Sequence, residues 1–274
     1  MPLSPGYFKN VPLILLTGIL LYASWPMSPF TFLIFIAWVP LLIIEDKSTR
    51  PFRFFFILLL NMLIWNTATT WWIWNASEGG AIGAIITNSI LMTIPWMLFR
   101  ITKQKLGADI GYASLILYWI TFEYLHHNWD LSWPWLTLGN VFANHTNWIK
   151  WYQFTGTTGG SLWIWMTNIL IFKYINKKYN GSDNRKKYLV ISFSLIVIPI
   201  LYSFIAFAEL LPEPDKPANT FNVVVVQPNI DPYKEKFSID PSIQIEKLIR
   251  LSESQIDSLT RLVVWPETAV PAGV

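Results

Sequence analysis

The chain of 274 residues contains no cysteine. It therefore has no disulfide framework, no thiolate ligand for a metal and no thiol nucleophile of its own. Histidine is scarce as well, with only His126, His127 and His145. Adjacent histidines point about 100° apart on a helix. Since no acidic cluster joins them, we expect neither a metal site nor a cofactor.

Charged residues are also few, at 14% of the chain against roughly 25% in average soluble proteins. Hydrophobic residues make up 53% of the chain, which includes 16 tryptophans. This composition predicts a polytopic membrane protein. Residues 1–208 hold 14 Lys and Arg against 7 Asp and Glu, whereas residues 209–274 hold 6 against 10. The cations thus belong to the apolar part, and nucleic acid is not an expected partner.

Long apolar runs predict a transmembrane domain over residues 1–208. A membrane-spanning helix needs roughly 17–25 mainly apolar residues. Seven segments are candidates, near 11–24, 30–44, 54–74, 81–99, 110–126, 159–173 and 189–208. An alternative for residues 9–25 is a signal peptide, but no A-x-A-like cleavage site follows them. We therefore favour a first span.

The positive charges predict the orientation of these spans. With a cytoplasmic N-terminus, the inside segments hold 13 Lys and Arg residues, and the outside loops before the tail hold only Lys150. Lys and Arg collect on the cytoplasmic side of short loops. Seven spans then place the C-terminal tail outside, which in a bacterium is the periplasmic face of the inner membrane.

The outside loop between the fifth and sixth spans is rich in tryptophan, namely Trp129, Trp133, Trp135, Trp148 and Trp151. Amphipathic rings favour the headgroup layer of a membrane. Two interpretations stay open: an aromatic belt, or a lipid access surface in which Trp133 and Trp135 contact substrate. Glu123, near the end of the fifth span, is either an ordinary solvated carboxylate or a charge that needs a partner, and we include it among the candidate substrate-binding residues.

The tail follows a proline-rich linker over residues 209–220. A β-branched run from Phe221 to Gln227 predicts a strand buried on both faces. Asp240-Pro241 predicts the start of a helix that continues to about Leu259, and Leu262 to Trp265 predicts a second strand. One βαβ unit supplies too few strands and helices for a finished sheet. We therefore expect an incomplete α/β domain.

A single carboxylate, Glu267, follows the second strand after a Trp-Pro corner. The carboxyl end of a strand is the usual place for ligands in an open α/β sheet, although an isolated Glu there is also consistent with a solvated loop residue. Its context is Val264-Trp265-Pro266-Glu267-Thr268-Ala269-Val270-Pro271, about 40 residues after Gln227-Pro228-Asn229. This pattern resembles the start of a nitrilase-superfamily (carbon–nitrogen hydrolase) domain. The resemblance implies an α-β-β-α sandwich, of which residues 221–274 would be the truncated start.

Further motifs lie in the membrane part. They are Phe122-Glu123-Tyr124-Leu125, the SWPWLTLGN segment of Ser132 to Asn140, Gln153-Phe154-Thr155-Gly156, Gly159-Gly160-Ser161-Leu162 and Asn168. Together with the tail, they resemble one family, apolipoprotein N-acyltransferase. The resemblance covers essentially the whole chain but only about the first half of the enzyme.

The resemblance implies a Glu-Lys-Cys triad. The Cys thiolate takes an acyl chain from a phospholipid as a thioester and passes it to the amino group of a lipoprotein's diacylglyceryl-cysteine. Glu267 matches the Glu, the expected general base. The Lys and Cys are expected beyond Val274, or in a complementing C-terminal nitrilase half, so we expect no activity from this chain alone. Phe237 matches a site-lining family position that is often Trp, and either contacts the acyl chain or thioester or simply packs.

Two other classes of function compete with this one. The first is a non-catalytic membrane subunit that anchors a separate nitrilase-like chain or binds lipid. The second is a transporter. Transporters typically have paired broken helices and buried ionisable groups, and the predicted spans show no such pairs and few such groups.

Overall fold

The computed structural model describes residues 11–176, 184–209, 221–231, 235–266 and 269. The predicted linker lies almost entirely outside these ranges. In chain order the α-helices are α1 Val11–Ser24, α2 Val39–Lys47, α3 Pro51–Thr70, α4 Glu78–Leu91, α5 Thr93–Leu106, α6 Ala108–His127, α7 Tyr152–Ile175, α8 Asn184–Glu209 and α9 Pro241–Glu253. The strands are β1 Asn222–Val225 and β2 Thr260–Val264. The chain divides into two compact units, Met1–Leu211 and Pro212–Val274.

Three stretches of the described chain are long and apolar enough to cross a membrane. They are Pro51–Asn75, Glu78–Leu106 and Arg185–Ala206, and a shorter apolar helix covers Leu15–Ser24. The helices α6 and α7 coincide with the fifth and sixth predicted spans. They are not among the stretches that are both long enough and apolar enough to cross a membrane. The apolar helices agree with a membrane protein, and the number of seven spans stays a prediction.

The second predicted span, residues 30–44, is not one continuous helix. A 3-10 helix covers Thr31–Phe35 and α2 begins only at Val39. Pro40 lacks the N–H that would bond to the carbonyl oxygen of Ile36. The side chain of Asn168 on α7 compensates for the break, because its Oδ1 accepts from the Trp38 N–H at 2.9 Å.

Two prolines also shape the later spans. Where residues 81–99 predict one span, α4 and α5 meet at Met92, and Pro95 lacks the N–H that would bond to the Leu91 carbonyl oxygen. Within α8, Pro199 likewise leaves the carbonyl oxygen of Leu195 without its helical donor. The indole N–H of Trp163 donates to that oxygen at 2.6 Å. The proline thus creates a contact between α8 and α7.

A cluster of tryptophans forms the centre of the first unit. Its five members have no exposed surface and come from different segments of the chain: Trp38, Trp65, Trp96, Trp119 and Trp165. The ring of Trp38 lies in the middle, with centroid distances between 4.9 and 5.7 Å to the other four rings. These distances are in the attractive range for aromatic pairs. The cluster therefore joins α3, α5, α6 and α7 around the start of α2.

The second unit contains the predicted βαβ arrangement. Strands β1 and β2 pair in parallel, with Val223 opposite Leu262 and Val225 opposite Val264, and α9 connects them. Asp240 caps α9 by accepting from the Ser242 N–H at 2.8 Å. Hydrogen bonds from the Ser242 hydroxyl and backbone N–H lower the pKa of this carboxyl. The βαβ order is confirmed. The prediction of a first strand buried on both faces is wrong for the described residues, because β1 covers only Asn222–Val225 and no other layer covers Val223 and Val225 there.

The helix α9 ends at Glu253, earlier than the predicted end near Leu259. The reason is a turn centred on Asp257. Its carboxylate accepts from the Leu259 N–H at 3.0 Å and from the Thr260 hydroxyl at 2.8 Å. These bonds direct the backbone out of the helix and into β2.

Candidate functional site

Glu267, the predicted general base, lies outside the described residues, so its role stays a prediction. The segment that leads to it is described. Strand β2 ends at Val264, and the indole N–H of Trp265 donates to the Ser252 hydroxyl on α9 at 2.9 Å. The Ala269 N–H donates to the Pro266 carbonyl oxygen at 3.0 Å. The strand end is therefore tied to α9 just before the predicted carboxylate.

Phe237 lies in a turn of the second unit, between β1 and α9. Its side chain is 89% exposed. The turn is attached to the helix because the Gln244 side-chain amide donates to the carbonyl oxygens of Lys236 and Ile239, at 2.9 and 2.8 Å. Gln244 itself is buried. The contact of Phe237 with an acyl chain or thioester stays a prediction.

Glu123 is buried on α6, with 6% of its surface exposed. Its Oε1 accepts two hydrogen bonds, from the Trp119 indole N–H at 2.8 Å and from the Leu138 backbone N–H at 2.9 Å. A buried carboxylate requires such donors, because an unpaired charge in an apolar interior is very costly. The structure therefore places Glu123 where it binds the following loop to α6, and substrate contact by Glu123 stays a prediction.

Gly139 attaches the same loop to α7. Its N–H donates to the Ser161 hydroxyl at 3.1 Å, and its carbonyl oxygen accepts from the Tyr152 hydroxyl at 3.0 Å. A Cβ on Gly139 would overlap the carbonyl oxygen of Thr157, and a Cβ on Gly160 would overlap the Tyr152 hydroxyl. Glycine at both positions allows this close approach. The SWPWLTLGN and GGSL motifs thus form one packed assembly.

Gly156 has a different structural role in the neighbouring motif. Its backbone has φ +62° and ψ −168°, and it interrupts the helical geometry of α7 near its start. A positive φ is strained for residues with a Cβ and accessible to glycine. The glycine of the Gln153 to Gly156 motif is therefore explained by backbone geometry.

The two tryptophans predicted to contact lipid lie in different surroundings. Trp135 is 52% exposed, and its ring meets Trp72 edge to face at a centroid distance of 5.2 Å. Trp133 is half-buried and lines a cavity of about 420 Å³ beside α4 and the end of α6. Its indole N–H is buried and makes no hydrogen bond within the part of the chain that the structure describes. A lipid contact of either residue stays a prediction.

A buried row of polar side chains, which was not predicted from the sequence, joins three helices. The ring Nε2 of His126 on α6 lies 2.9 Å from Asn88 Oδ1 on α4. The Asn88 side-chain amide donates to Asn66 Oδ1 on α3 at 2.6 Å, and the Asn66 amide donates to the Met62 carbonyl oxygen. Because an amide oxygen only accepts, His126 donates through Nε2. The sequence did contain a signal for this row, namely two asparagines inside apolar runs. A side-chain amide in such a run needs a hydrogen-bond partner on another helix.

A second group that sequence analysis missed joins α2 to α5. Arg100 and Glu45 are each 3% exposed, with 3.3 Å between Nη1 and Oε1. Lys103 Nζ lies 2.5 Å from Glu45 Oε2 and 3.1 Å from Asp46 Oδ1. Arg100 also donates to the Ser48 carbonyl oxygen at 2.6 Å. Two of the cations that predicted orientation therefore also hold the first unit together.

Comparisons with known proteins agree with the family resemblance that the sequence motifs indicate. The family described as Apolipoprotein N-acyltransferase N-terminal domain matches residues 17–170. An apolipoprotein N-acyltransferase of Chlorobaculum tepidum is 28% identical over 261 residues, which cover 94% of this chain and 48% of that protein. One of Geobacter metallireducens is 28% identical over 277 residues, which cover 93% of this chain and 50% of the relative.

The chain spans about half the length of these curated relatives. The matched residues 17–170 include Glu123, the loop from Trp133 to Asn140, and the two glycines that hold this loop against α7. The family match covers more than half of the chain. This protein therefore belongs to the family of the apolipoprotein N-acyltransferase N-terminal domain.

Proposed function

We propose that this chain is the N-terminal part of an apolipoprotein N-acyltransferase. The enzyme would move a fatty acyl chain from a phospholipid to the N-terminal diacylglyceryl-cysteine of apolipoproteins through a Cys thioester. The observation that carries the proposal is similarity over more than nine-tenths of the chain to two proteins with that name. The family match over residues 17–170 supports it independently of the tail.

In this proposal the first unit is embedded in a bacterial inner membrane. The N-terminus is cytoplasmic and the tail is periplasmic, as the 13-to-1 distribution of cations favours. The tryptophan-rich loop then lies at the outer surface, where phospholipid and lipoprotein substrates are present. Its attachment through Glu123 and Gly139 would give substrates a rigid surface.

The second unit would contribute Glu267 to a nitrilase-like active site. The chain contains no cysteine, so the thiol must come from a further segment or from a complementing C-terminal nitrilase half. Alternate residues of the paired strands support such a completion. Val223, Val225, Leu262 and Val264 share one face of the sheet, and their exposed fractions are 44%, 73%, 51% and 38%. An apolar sheet face of this kind requires another layer to cover it.

The proposed chemistry has two acyl transfers. Glu267 takes the proton of the thiol, the thiolate attacks the ester carbonyl of the phospholipid, and the lysophospholipid leaves with a proton as the thioester forms. The amino group of the diacylglyceryl-cysteine then attacks the thioester. The base takes a proton from the attacking amine and returns it to the departing thiolate, so that an amide forms and the thiol is regenerated. The family's Lys would stabilise the oxyanion in both steps.

Reconstitution tests the proposal. The chain is co-expressed with a C-terminal nitrilase portion that carries the missing Lys and Cys, and transfer of labelled acyl chains to a diacylglyceryl lipopeptide is measured. We expect transfer from the pair and none from either half or from a pair whose cysteine is changed to serine. Transfer by this chain alone would contradict the proposed thioester route. Stable assembly without transfer would instead favour the alternative of a non-catalytic anchoring subunit. The exposed apolar face of the sheet is the observation that supports this alternative.

A further inference from the structure

The segment that follows β1 has an unusual backbone at Asn229. Its φ is +50°, and it is the one residue with a side chain that has a positive φ among the residues that the structure describes. This left-handed conformation brings Cβ close to the following carbonyl oxygen, so it is free of strain only for glycine. The preceding Pro228 is buried, so the strained residue belongs to the packed part of the second unit. Backbone strain of this kind collects at functional sites.

The ordinary reason for an asparagine in this conformation is a local hydrogen bond. The side chain of asparagine can bind a nearby backbone group and so stabilise a turn. The Asn229 side chain is exposed and makes no such bond to the described residues. Glycine would suit the backbone better, so turn formation alone does not explain a carboxamide at this position.

Asn229 follows the strand end at which the proposed general base is expected. The strands β1 and β2 are parallel neighbours, and at this end the Val226 N–H donates to the Val264 carbonyl oxygen at 2.9 Å. Asn229 comes three residues after Val226, and Glu267 comes three residues after Val264. Neighbouring strands are about 4.8 Å apart. Equal distances along the two chains therefore predict that the two side chains lie within reach of each other.

A general base in a site of this type is oriented by a further group. A carboxylate has two acceptor oxygens and no donor, so the oxygen that does not take the proton requires an N–H or O–H to hold it. The side-chain amide of Asn229 has two N–H donors and no charge. It can therefore fix a carboxylate and leave its negative charge in place.

We propose that Asn229 is a positioning residue for Glu267. Its side-chain N–H donates to the Glu267 carboxylate and holds this base toward the thiol in the first acyl transfer and toward the attacking amine in the second. Asn229 acts through Glu267 and contacts neither substrate. This role rests on the proposed function, and it adds a residue that the family's Glu-Lys-Cys triad does not include.

Two substitutions that are compatible with the left-handed backbone test this role in the reconstituted pair. Asn229→Gly removes the side chain, and Asn229→Asp keeps its shape but replaces the donor with an acceptor. A hydrogen bond to a charged group corresponds to roughly 10- to 100-fold, so both variants should slow acyl transfer by this factor. Acyl transfer by Asn229→Gly at the parent's rate would show that only the backbone matters and would overturn the proposal.

A matched control removes a carboxamide at the other end of the sheet. Gln255 is exposed in the turn before β2, so Gln255→Ala should leave the rate of acyl transfer unchanged. Rates are compared for pairs that co-purify in equal amounts, so that a loss of assembly is not counted as a loss of positioning. Equal slowing by Gln255→Ala and Asn229→Gly would indicate a general loss of stability and would overturn the positioning role.

A double-mutant cycle identifies the group through which Asn229 acts. If the amide orients the carboxylate, Asn229→Gly should have almost no further effect once Glu267→Gln has removed that carboxylate. A full effect of Asn229→Gly in the Glu267→Gln background would mean that Asn229 contacts substrate, and the positioning role would be wrong. Absence of transfer by the parent pair would overturn the proposed function and this role together. Transfer by the parent pair with an equally fast Asn229→Gly would overturn the role alone.

Discussion

Trp119 and Glu123 lie one turn apart on α6, and the indole N–H of Trp119 donates to Glu123 Oε1 at 2.8 Å. The ring of Trp119 also belongs to the buried tryptophan cluster, at 5.2 Å from Trp38. The second donor to Glu123 Oε1 is the Leu138 N–H in the loop. This pair therefore links the aromatic centre of the first unit to the loop that carries the SWPWLTLGN motif.

Replacing Glu123 should destabilise this linkage. Glu123→Ala leaves the Trp119 and Leu138 N–H groups buried without an acceptor, and each such donor costs about 1–3 kcal/mol. Glu123→Gln keeps one acceptor oxygen and should be milder. Thermal unfolding in detergent measures both, with the exposed Glu78→Ala as the control. An equal melting temperature for Glu123→Ala and the parent would show that the carboxylate does not hold the loop.

Adding one methyl group at Gly160 should separate the loop from α7. In Gly160→Ala the new Cβ meets the Tyr152 hydroxyl and lies 2.9 Å from Gly139 Cα, so backbone must move. Overpacking of this kind costs about 1–3 kcal/mol. The matched control is Gly79→Ala on α4, where nothing lies within 4 Å of the new Cβ. We expect a lower melting temperature and faster proteolysis of the loop only for Gly160→Ala, and similar behaviour of the two variants would contradict the packing argument.

The buried ion pair between α5 and α2 should matter more than an exposed one. Arg100→Met removes a partner of Glu45 where both side chains are 3% exposed, and breaking a buried pair costs about 3–5 kcal/mol. Lys173→Met removes a partner of Asp109, which is 92% exposed, and an exposed pair contributes about 0–1 kcal/mol. Thermal unfolding of the two variants measures the difference. A larger loss in Lys173→Met would show that Arg100 contributes little.

Reporter fusions test the orientation. A reporter fused at Lys186, before the last predicted span, should be cytoplasmic, and one fused at Asn219 should be periplasmic, because positively charged loops stay inside. Alkaline phosphatase activity and fluorescent-protein fluorescence report the two sides. If both fusions reported the same side, one predicted span would be removed, and a cytoplasmic tail would contradict the proposed lipoprotein acylation.

Glu267 should be required in the reconstituted enzyme. Glu267→Gln keeps the shape of the side chain and removes the base, and one positioned general base contributes about 10²–10⁴-fold to rate. Glu253→Gln, at the exposed end of α9, is the control within the same unit. Acylation rates with the complementing half measure both. If Glu267→Gln acylated as fast as the parent, Glu267 would be interpreted as a solvated loop carboxylate and not as the general base.

The second unit was largely predictable because its signals are local. The β-branched runs became two parallel strands, and Asp240-Pro241 started the connecting helix. The main error, the late end predicted for α9, came from the apolar Ile256 and Leu259, which favoured continuation. The turn at Asp257 ends the helix instead, because the Asp257 carboxylate accepts hydrogen bonds from a backbone N–H and a hydroxyl within three residues.

The break in the second predicted span depended on a distant residue. Pro40 was visible in the sequence, yet the apolar run around it predicted a continuous span. Asn168 supplies the hydrogen bond at Trp38 from 130 residues away. The hydropathy of a segment indicates whether it prefers lipid. It contains no information on a hydrogen-bond partner elsewhere in the chain.

By itself, the amino-acid sequence determined the membrane character, the βαβ order of the tail and the family, because apolar runs, strand periodicity and motif residues are properties of contiguous segments. Only the tertiary structure decided that Glu123 is buried beneath the loop, that Gly139 and Gly160 allow this loop to approach α7, and that His126 joins two asparagines. Each of these depends on which residues of different helices come within hydrogen-bond or van der Waals distance. Packing of the whole unit sets those distances, and no single segment encodes them.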